Sequence, residues 1–199
     1  MSHWGPMATA FLTNTEDHIV FVTEHRQSEH FRRFQGQVRK NGYKPIAHAA
    51  VATGTQGVSG GVAILGRQRK AGTIRIDGLM PSLYTSLGYT EVENSRICGA
   101  ILHTDRLRIL LVVVYLYHSE GLSERNQALL ASVELLSRTV GLPTMIGGDF
   151  NLTREEVASS LIYRSLKLCF SVVPVGYMPG RQRIMHRSPV GSGSFSKHP

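Results

Sequence analysis

Apolar positions along this chain fall into two kinds of run: short unbroken ones, and longer ones spaced by three and four. His18-Ile-Val-Phe-Val-Thr23 is of the first kind, rich in β-branched and aromatic residues. It predicts a buried strand that ends where charge begins, at Glu24-His25-Arg26. Phe31, Phe34 and Val38 carry the second spacing, with Arg32, Arg33, Arg39 and Lys40 interleaved and Asn41-Gly42 as the stop, and predict an amphipathic helix. A strand is expected at Ile46–Val51, a glycine-rich loop at Thr53–Gly61 and another buried strand at Gly61–Leu65. Arg67-Gln-Arg-Lys70 reads as a basic turn with Thr73–Ile76 as its partner strand, a hairpin with a charged tip. Segment 77–94 has no firm period.

Beyond it, Arg96–His103 and Leu107–Tyr117 predict strand, turn and strand. The second carries Val112, Val113 and Val114 without polar alternation and is expected to be covered on both faces. Ser123 is a helix N-cap, and Leu129, Val133, Leu136 and Val140 form one stripe, so Glu124–Val140 is a helix closed by Gly141. A short strand at Pro143–Ile146 leads into the polar turn Gly147-Gly-Asp-Phe-Asn151, with a helix over Arg154–Leu166. The core is expected around Ile19, Phe21, Val62, Ile64, Val112, Val114 and Ile146, with Val133 packing on them. Residues 1–175 read as one domain and 176–199 as a flexible basic tail rich in glycine, serine and proline.

With 199 residues, 42% hydrophobic and 18% charged, the chain belongs with single globular domains. The longest apolar run, Ile109–Leu116, is far below the roughly 20 residues of a membrane-spanning helix. Cys98 and Cys169 show no metal-ligand spacing, and the N-terminus lacks the pattern of a secretory signal. An intracellular protein, of cytoplasm or nucleus, is therefore expected. Lys and Arg number 22 against 14 acidic residues, and the resulting +8 favours a polyanionic partner, nucleic acid foremost.

Two predicted strands each deliver a carboxylate to their carboxyl end, Glu24 after Phe21-Val-Thr and Asp149 after Met145-Ile-Gly-Gly. Ligands bind at that edge of α/β sheets. If the strands lie side by side, the two acids form an oxygen site for a hard cation such as Mg²⁺. Asn151 would then present a neutral amide to a phosphoryl oxygen, and Gly147 and Gly148 would leave a phosphate room to approach. The same five residues also suit a plain β-to-α turn capped by an Asx side chain.

Gly147-Gly-Asp-Phe-Asn151 resembles the GDFN signature of the endonuclease/exonuclease/phosphatase superfamily, which includes apurinic endonucleases, deoxyribonucleases and retroelement endonuclease domains. Ile19–Glu24 resembles its strand ending in a metal-binding glutamate, Gly60-Gly-Val-Ala-Ile-Leu65 a second of its strands, and Val112–Tyr115 the strand ending in an active-site tyrosine. The resemblance implies a four-layer α/β sandwich, two mixed β-sheets face to face with outer helices, here incomplete at the edges. It implies Glu24 as the Mg²⁺ ligand (Mn²⁺ being the alternative ion), and Asp149 as a second metal-site carboxylate that orients or deprotonates water. Asn151 would be a phosphate partner and Tyr115 would touch the phosphate. Tyr117, two residues on, is expected to face the same side.

The chain also departs from that pattern. Asn14, the asparagine ahead of the glutamate strand, has no apolar strand around it. Arg183-Ile-Met185 has methionine where the superfamily has an acid, and no Ser-Asp-His triplet accompanies His186 or His198. Absent acid–base partners remove factors of about 10² to 10⁴ each. The expectation is thus a Mg²⁺-dependent nuclease domain of retroelement type, truncated at both ends and impaired. Two alternatives stand beside it: a noncatalytic nucleic-acid or protein-binding module, and a phosphatase for phosphoinositides or sugar phosphates.

Overall fold

The computed structural model of the chain describes residues 6–15, 17–53, 57–68, 75–166, 168–172 and 183–187. Three strands, β1 (Ile19–Val22), β2 (Tyr43–Thr53) and β3 (Gly57–Arg67), make one antiparallel sheet in the order β1-β3-β2. Six others are β4 (Arg75–Gly78), β5 (Ile97–His103), β6 (Arg108–Tyr115), β7 (Thr144–Asp149), β8 (Leu168–Val172) and β9 (Arg183–Arg187). They form a mixed sheet in the order β4-β5-β6-β7-β9-β8, parallel only between β6 and β7. The helices are α1 (Pro6–Asn14), α2 (Phe31–Lys40), α3 (Pro81–Ser86), α4 (Glu91–Asn94), α5 (Glu124–Val140), α6 (Arg154–Ser159) and α7 (Leu161–Ser165).

Side-chain alternation on the strands sorts the core into three clusters, and these define four layers. Leu12 of α1 and Phe34 and Val38 of α2 pack on Tyr43, Ala63 and Leu65, the outer face of the small sheet. Between the sheets, Val62 and Ile64 of β3 meet Leu111, Val113 and Tyr115 of β6, joined by Ile19 and Phe21. On the far side, Val112, Val114 and Ile146 lie under Leu129, Val133 and Leu136 of α5. The eight expected core residues thus divide into two clusters. The unbroken apolar run of β6 is needed because both of its faces are covered. Fully burying one such side chain is worth about 1.5–3 kcal/mol.

Helix α5 follows from its sequence: Ser123 Oγ accepts from Asn126 N, and Gly141 closes it in the left-handed region at φ 68°. Segment 77–94 holds α3 and α4, which are too short for an apolar stripe to show. Thr90 and Glu93 form a reciprocal capping box on the latter. The stretch read as one helix from Arg154 is two, α6 and α7, separated where Ser160 adopts extended backbone.

The hairpin expected across 67–76 does not form. β4 pairs with β5 in the other sheet because Ile76 fills the inter-sheet space beside Gly66, where a Cβ would stand 2.3 Å from its Cγ2. The expected loop at 57–61 is instead the start of β3. Most of 176–199 lies outside the described residues, but Arg183–Arg187 is β9, paired between β7 and β8. Asn14 ends α1. Among the described residues, no helix is long and apolar enough to cross a membrane.

Candidate active site

Glu24 is placed by the residues that come after it. Backbone pairing with β3 continues past β1, His25 N donating to Gly61 O (3.1 Å) and Arg26 N to Gly60 O (3.2 Å). The His25 ring sits over Gly61, where a Cβ would lie 2.5 Å from it, and stacks on Phe34 at 4.6 Å between centroids. Gln27 N donates to His25 Nδ1, so the proton is on Nε2, which donates to His48 O at 3.0 Å. Burial pushes the His25 imidazole down to about 4 and keeps it neutral. With His25 anchored inside, Glu24 and Arg26 take left-handed backbone, φ 53° and 52°, and point outward as an ion pair. Such conformations cost about 1–3 kcal/mol each in a non-glycine residue and tend to occur at functional sites.

Asp149 ends β7 directly opposite Tyr115 of β6 in the parallel register. The two glycines before it have a different purpose from the one expected. A Cβ on Gly147 would lie 2.8 Å from the Phe21 ring, and one on Gly148, at φ 143°, would lie 1.9 Å from Val114 O. They therefore do not clear a path for phosphate. Their missing side chains let β1 and β6 close onto β7, which brings Glu24, Tyr115 and Asp149 to one edge. The charge of Glu24 is felt at both other groups. Burial first, and then Glu24, hold the Tyr115 hydroxyl above its usual range. Burial raises Asp149, Glu24 adds to this, and the N–H of Asn151 and the nearby His118 oppose it.

Asn151, at φ 48°, donates its N–H to Asp149 Oδ1 (3.2 Å) and its Nδ2 to Leu116 O (3.0 Å). Its Oδ1 is thus the acceptor for His118 Nδ1, 3.0 Å away, which places a ring proton of His118 on Nδ1. The segment carrying His118 is stapled to α5 by buried Asn126, whose Oδ1 accepts from Tyr117 N and whose Nδ2 donates to Tyr117 O and Gly121 O. His118 and Asp149 line one cleft of about 560 Å³, together with Thr153 and Glu156.

Tyr117 does not share the side of Tyr115. β6 ends at Tyr115, and Tyr117 turns to pack against the α5 cluster. Arg96 lies between the two rings, 4.8 Å from the centre of Tyr115 and 3.5 Å from that of Tyr117. Three residues that no sequence motif marks therefore shape this edge: His25, Arg96 and His118. The one signal available was position, since His25 and His118 each stand just past the carboxyl end of a predicted strand. Of the basic residues considered for phosphate tracking, Arg32, Arg33, Arg39 and Lys40 are exposed on α2 in the outer layer, Arg67 binds Thr15 O and Tyr43, and Arg69 and Lys70 lie outside the described residues. His198 lies outside them too.

No family model and no curated protein matches the sequence. Among solved structures, the chain is similar to D. rerio TDP2 complexed with single strand DNA product, at 15% identity over 94% of this chain and 78% of that one, TM-score 0.59. It is similar to ANGEL2, a 2′,3′-cyclic phosphatase, in complex with adenosine-2′,3′-vanadate (13%, 93% and 75%, TM-score 0.61). A third is an endonuclease/exonuclease/phosphatase family protein from Bacteroides thetaiotaomicron (13%, 92% and 73%, TM-score 0.56). At these identities the likeness establishes architecture: the chain has the endonuclease/exonuclease/phosphatase fold.

Proposed function

We propose that this chain, built on the endonuclease/exonuclease/phosphatase fold, is a Mg²⁺-dependent phosphodiester hydrolase whose substrate is nucleic acid. The observation that carries the reading is the convergence of Glu24, Tyr115 and Asp149 at one sheet edge, beside a cleft reached by His118. Among the described residues, no three His, Cys, Asp or Glu side chains gather around a metal position. The donor set is two carboxylates, which repel each other and are all oxygen, and it fits a hard cation that keeps several waters. Glu24 and Asp149 would hold it, and Mn²⁺ would substitute for it. The chemistry such an ion would supply there is charge neutralisation at the nonbridging phosphate oxygens.

The rest is the work of the chain's own groups. Asp149 orients the attacking water and accepts its proton as general base. Asn151 keeps Asp149 oriented through its N–H and has a second amide hydrogen for a phosphoryl oxygen. Tyr115 stays protonated at neutral pH and donates to the phosphate as charge develops. His118, oriented by Asn151 at the cleft, donates to the leaving oxygen. Support for a nucleic-acid substrate comes from the +8 charge and from the single strand DNA product in the TDP2 complex.

The test is nicking of supercoiled plasmid with and without Mg²⁺. Wild type is expected to nick only with the ion, and Glu24→Gln and Asp149→Asn to lose at least about 10²-fold in rate. Salt-sensitive retention of DNA by a folded wild type that never cuts would replace the hydrolase with a noncatalytic binding module. Turnover of inositol phosphates without DNA cleavage would reassign the substrate.

A further inference from the structure

Arg96 is buried, yet among the described residues no carboxylate lies within ion-pair distance of it. Its guanidinium donates to two neutral acceptors, Tyr115 O at 3.2 Å and Ser59 Oγ at 2.8 Å. It is otherwise held by the rings of Tyr115 and Tyr117. Burying a cation without a counter-anion is unfavourable, and cation–π contact offsets it only in part. Tyr117 carries a second guanidinium, that of Arg125, 3.6 Å from the ring centre. Two guanidinium groups this close to one ring must occupy its opposite faces.

Arg125 stands in the first turn of α5, exposed, and among the described residues its ion pair is a contact with Glu120 at 3.2 Å. The segment between Tyr117 and Arg125 contributes His118, Ser119 and Gly121 to the cleft. Steps of 4.8, 3.5 and 3.6 Å lead from Tyr115 through Arg96 and Tyr117 to Arg125. An arginine held flat on an aromatic face is pre-organised to present its fork to a phosphate.

We propose that the Arg96–Tyr117–Arg125 stack binds a phosphate flanking the scissile one, so that the substrate is a nucleic-acid strand rather than a mononucleotide ester. This rests on the hydrolase reading for the word scissile alone, because strand binding is measurable without cleavage. Arg125 supplies the exposed contact, and Arg96 supplies the field beneath it. Neither touches the reacting phosphate.

The experiment follows the anisotropy of a fluorescein-labelled DNA single strand in EDTA across a salt series, with hydrolysis of thymidine 5′-(p-nitrophenyl phosphate) in Mg²⁺ measured in parallel. Arg125→Gln is expected to weaken strand binding about 5- to 10-fold and to flatten the log–log salt slope by about 0.7, the value of one lost contact on a single strand. Its kcat/KM on the mononucleotide ester stays at the wild-type level. Tyr117→Leu, which leaves both arginines but removes what holds them, weakens strand binding in the same direction. Unchanged affinity and slope in Arg125→Gln overturns the proposal, as does an equal loss on the mononucleotide ester or a wild type that binds the strand without salt dependence. A wild type that binds the strand and cuts neither substrate overturns the hydrolase reading and leaves strand binding by the stack intact.

Discussion

At Asp149 burial and the neighbouring Glu24 work against ionisation, while an N–H from Asn151 and the imidazole of His118 work for it. The balance leaves a carboxyl group that holds a proton more tightly than usual, which suits a base and costs stability once it is charged. His118 is its complement. Its Nδ1 is committed to Asn151, and the residue lines the cleft. If His118 serves as proton donor, its importance depends on the leaving group. In His118→Ala, cleavage of ordinary DNA is expected to fall about 10²- to 10⁴-fold, while an ester that releases p-nitrophenolate, which needs no proton, loses less than about 5-fold. Equal losses on both substrates, measured as kcat/KM, would remove His118 from that role.

The strand ends are positioned by backbone contacts that admit only glycine. Gly148 and Gly141 both have positive φ, 143° and 68°, but their surroundings differ. A Cβ on Gly148 meets Val114 O at 1.9 Å, whereas on Gly141 the closest atom, Arg138 O, is 4.0 Å away. Gly141→Ala is therefore expected to cost about 1–2 kcal/mol, the left-handed backbone penalty alone. Gly148→Ala has to push β7 off β6 and should cost more than about 4 kcal/mol, a loss of cooperative unfolding or of soluble protein. Urea denaturation of the two variants checks this, and equal midpoints would mean that the β6–β7 approach is not what Gly148 secures.

Across the whole molecule, two neutral histidines link the layers. His25 joins α2 to β3 and to the His48 carbonyl of β2, and the ring of His48 reaches Asn94 O and Ile97 O at the edge of the larger sheet. Burial lowers the proton affinity of both, that of His25 to about 4. At His25 the unfolded chain takes up its proton near pH 6.5 and the folded chain refuses it until near pH 4, so stability falls as pH drops through that window. For His25 alone the loss is roughly 3 kcal/mol at about 1.4 kcal/mol per pH unit. Denaturant titrations at pH 7 and pH 4.5 should show it, with a shallower dependence in His25→Gln. An identical pH slope in that variant would assign acid lability elsewhere.

Much of this architecture could be read from neighbouring residues alone. The unbroken run of β6 announced a strand covered on both faces, Ser123 and Gly141 bounded α5, and Ile19–Glu24 and Met145–Asp149 each ended in an acid. These are local matters of period, capping and burial, written into consecutive positions. Contacts between distant segments were not legible in this way. Nothing in Val112-Val-Val114 says which valine faces a helix and which a sheet, since register makes that choice. Nor does the sequence say that Ile76 fills the gap at Gly66 rather than closing a hairpin, or that Gly147 makes way for Phe21 rather than for a ligand. The roles of His25, Arg96 and His118 are not legible in the sequence for the same reason: each acquires its role from atoms far away along the chain, brought near only when two sheets close on one another.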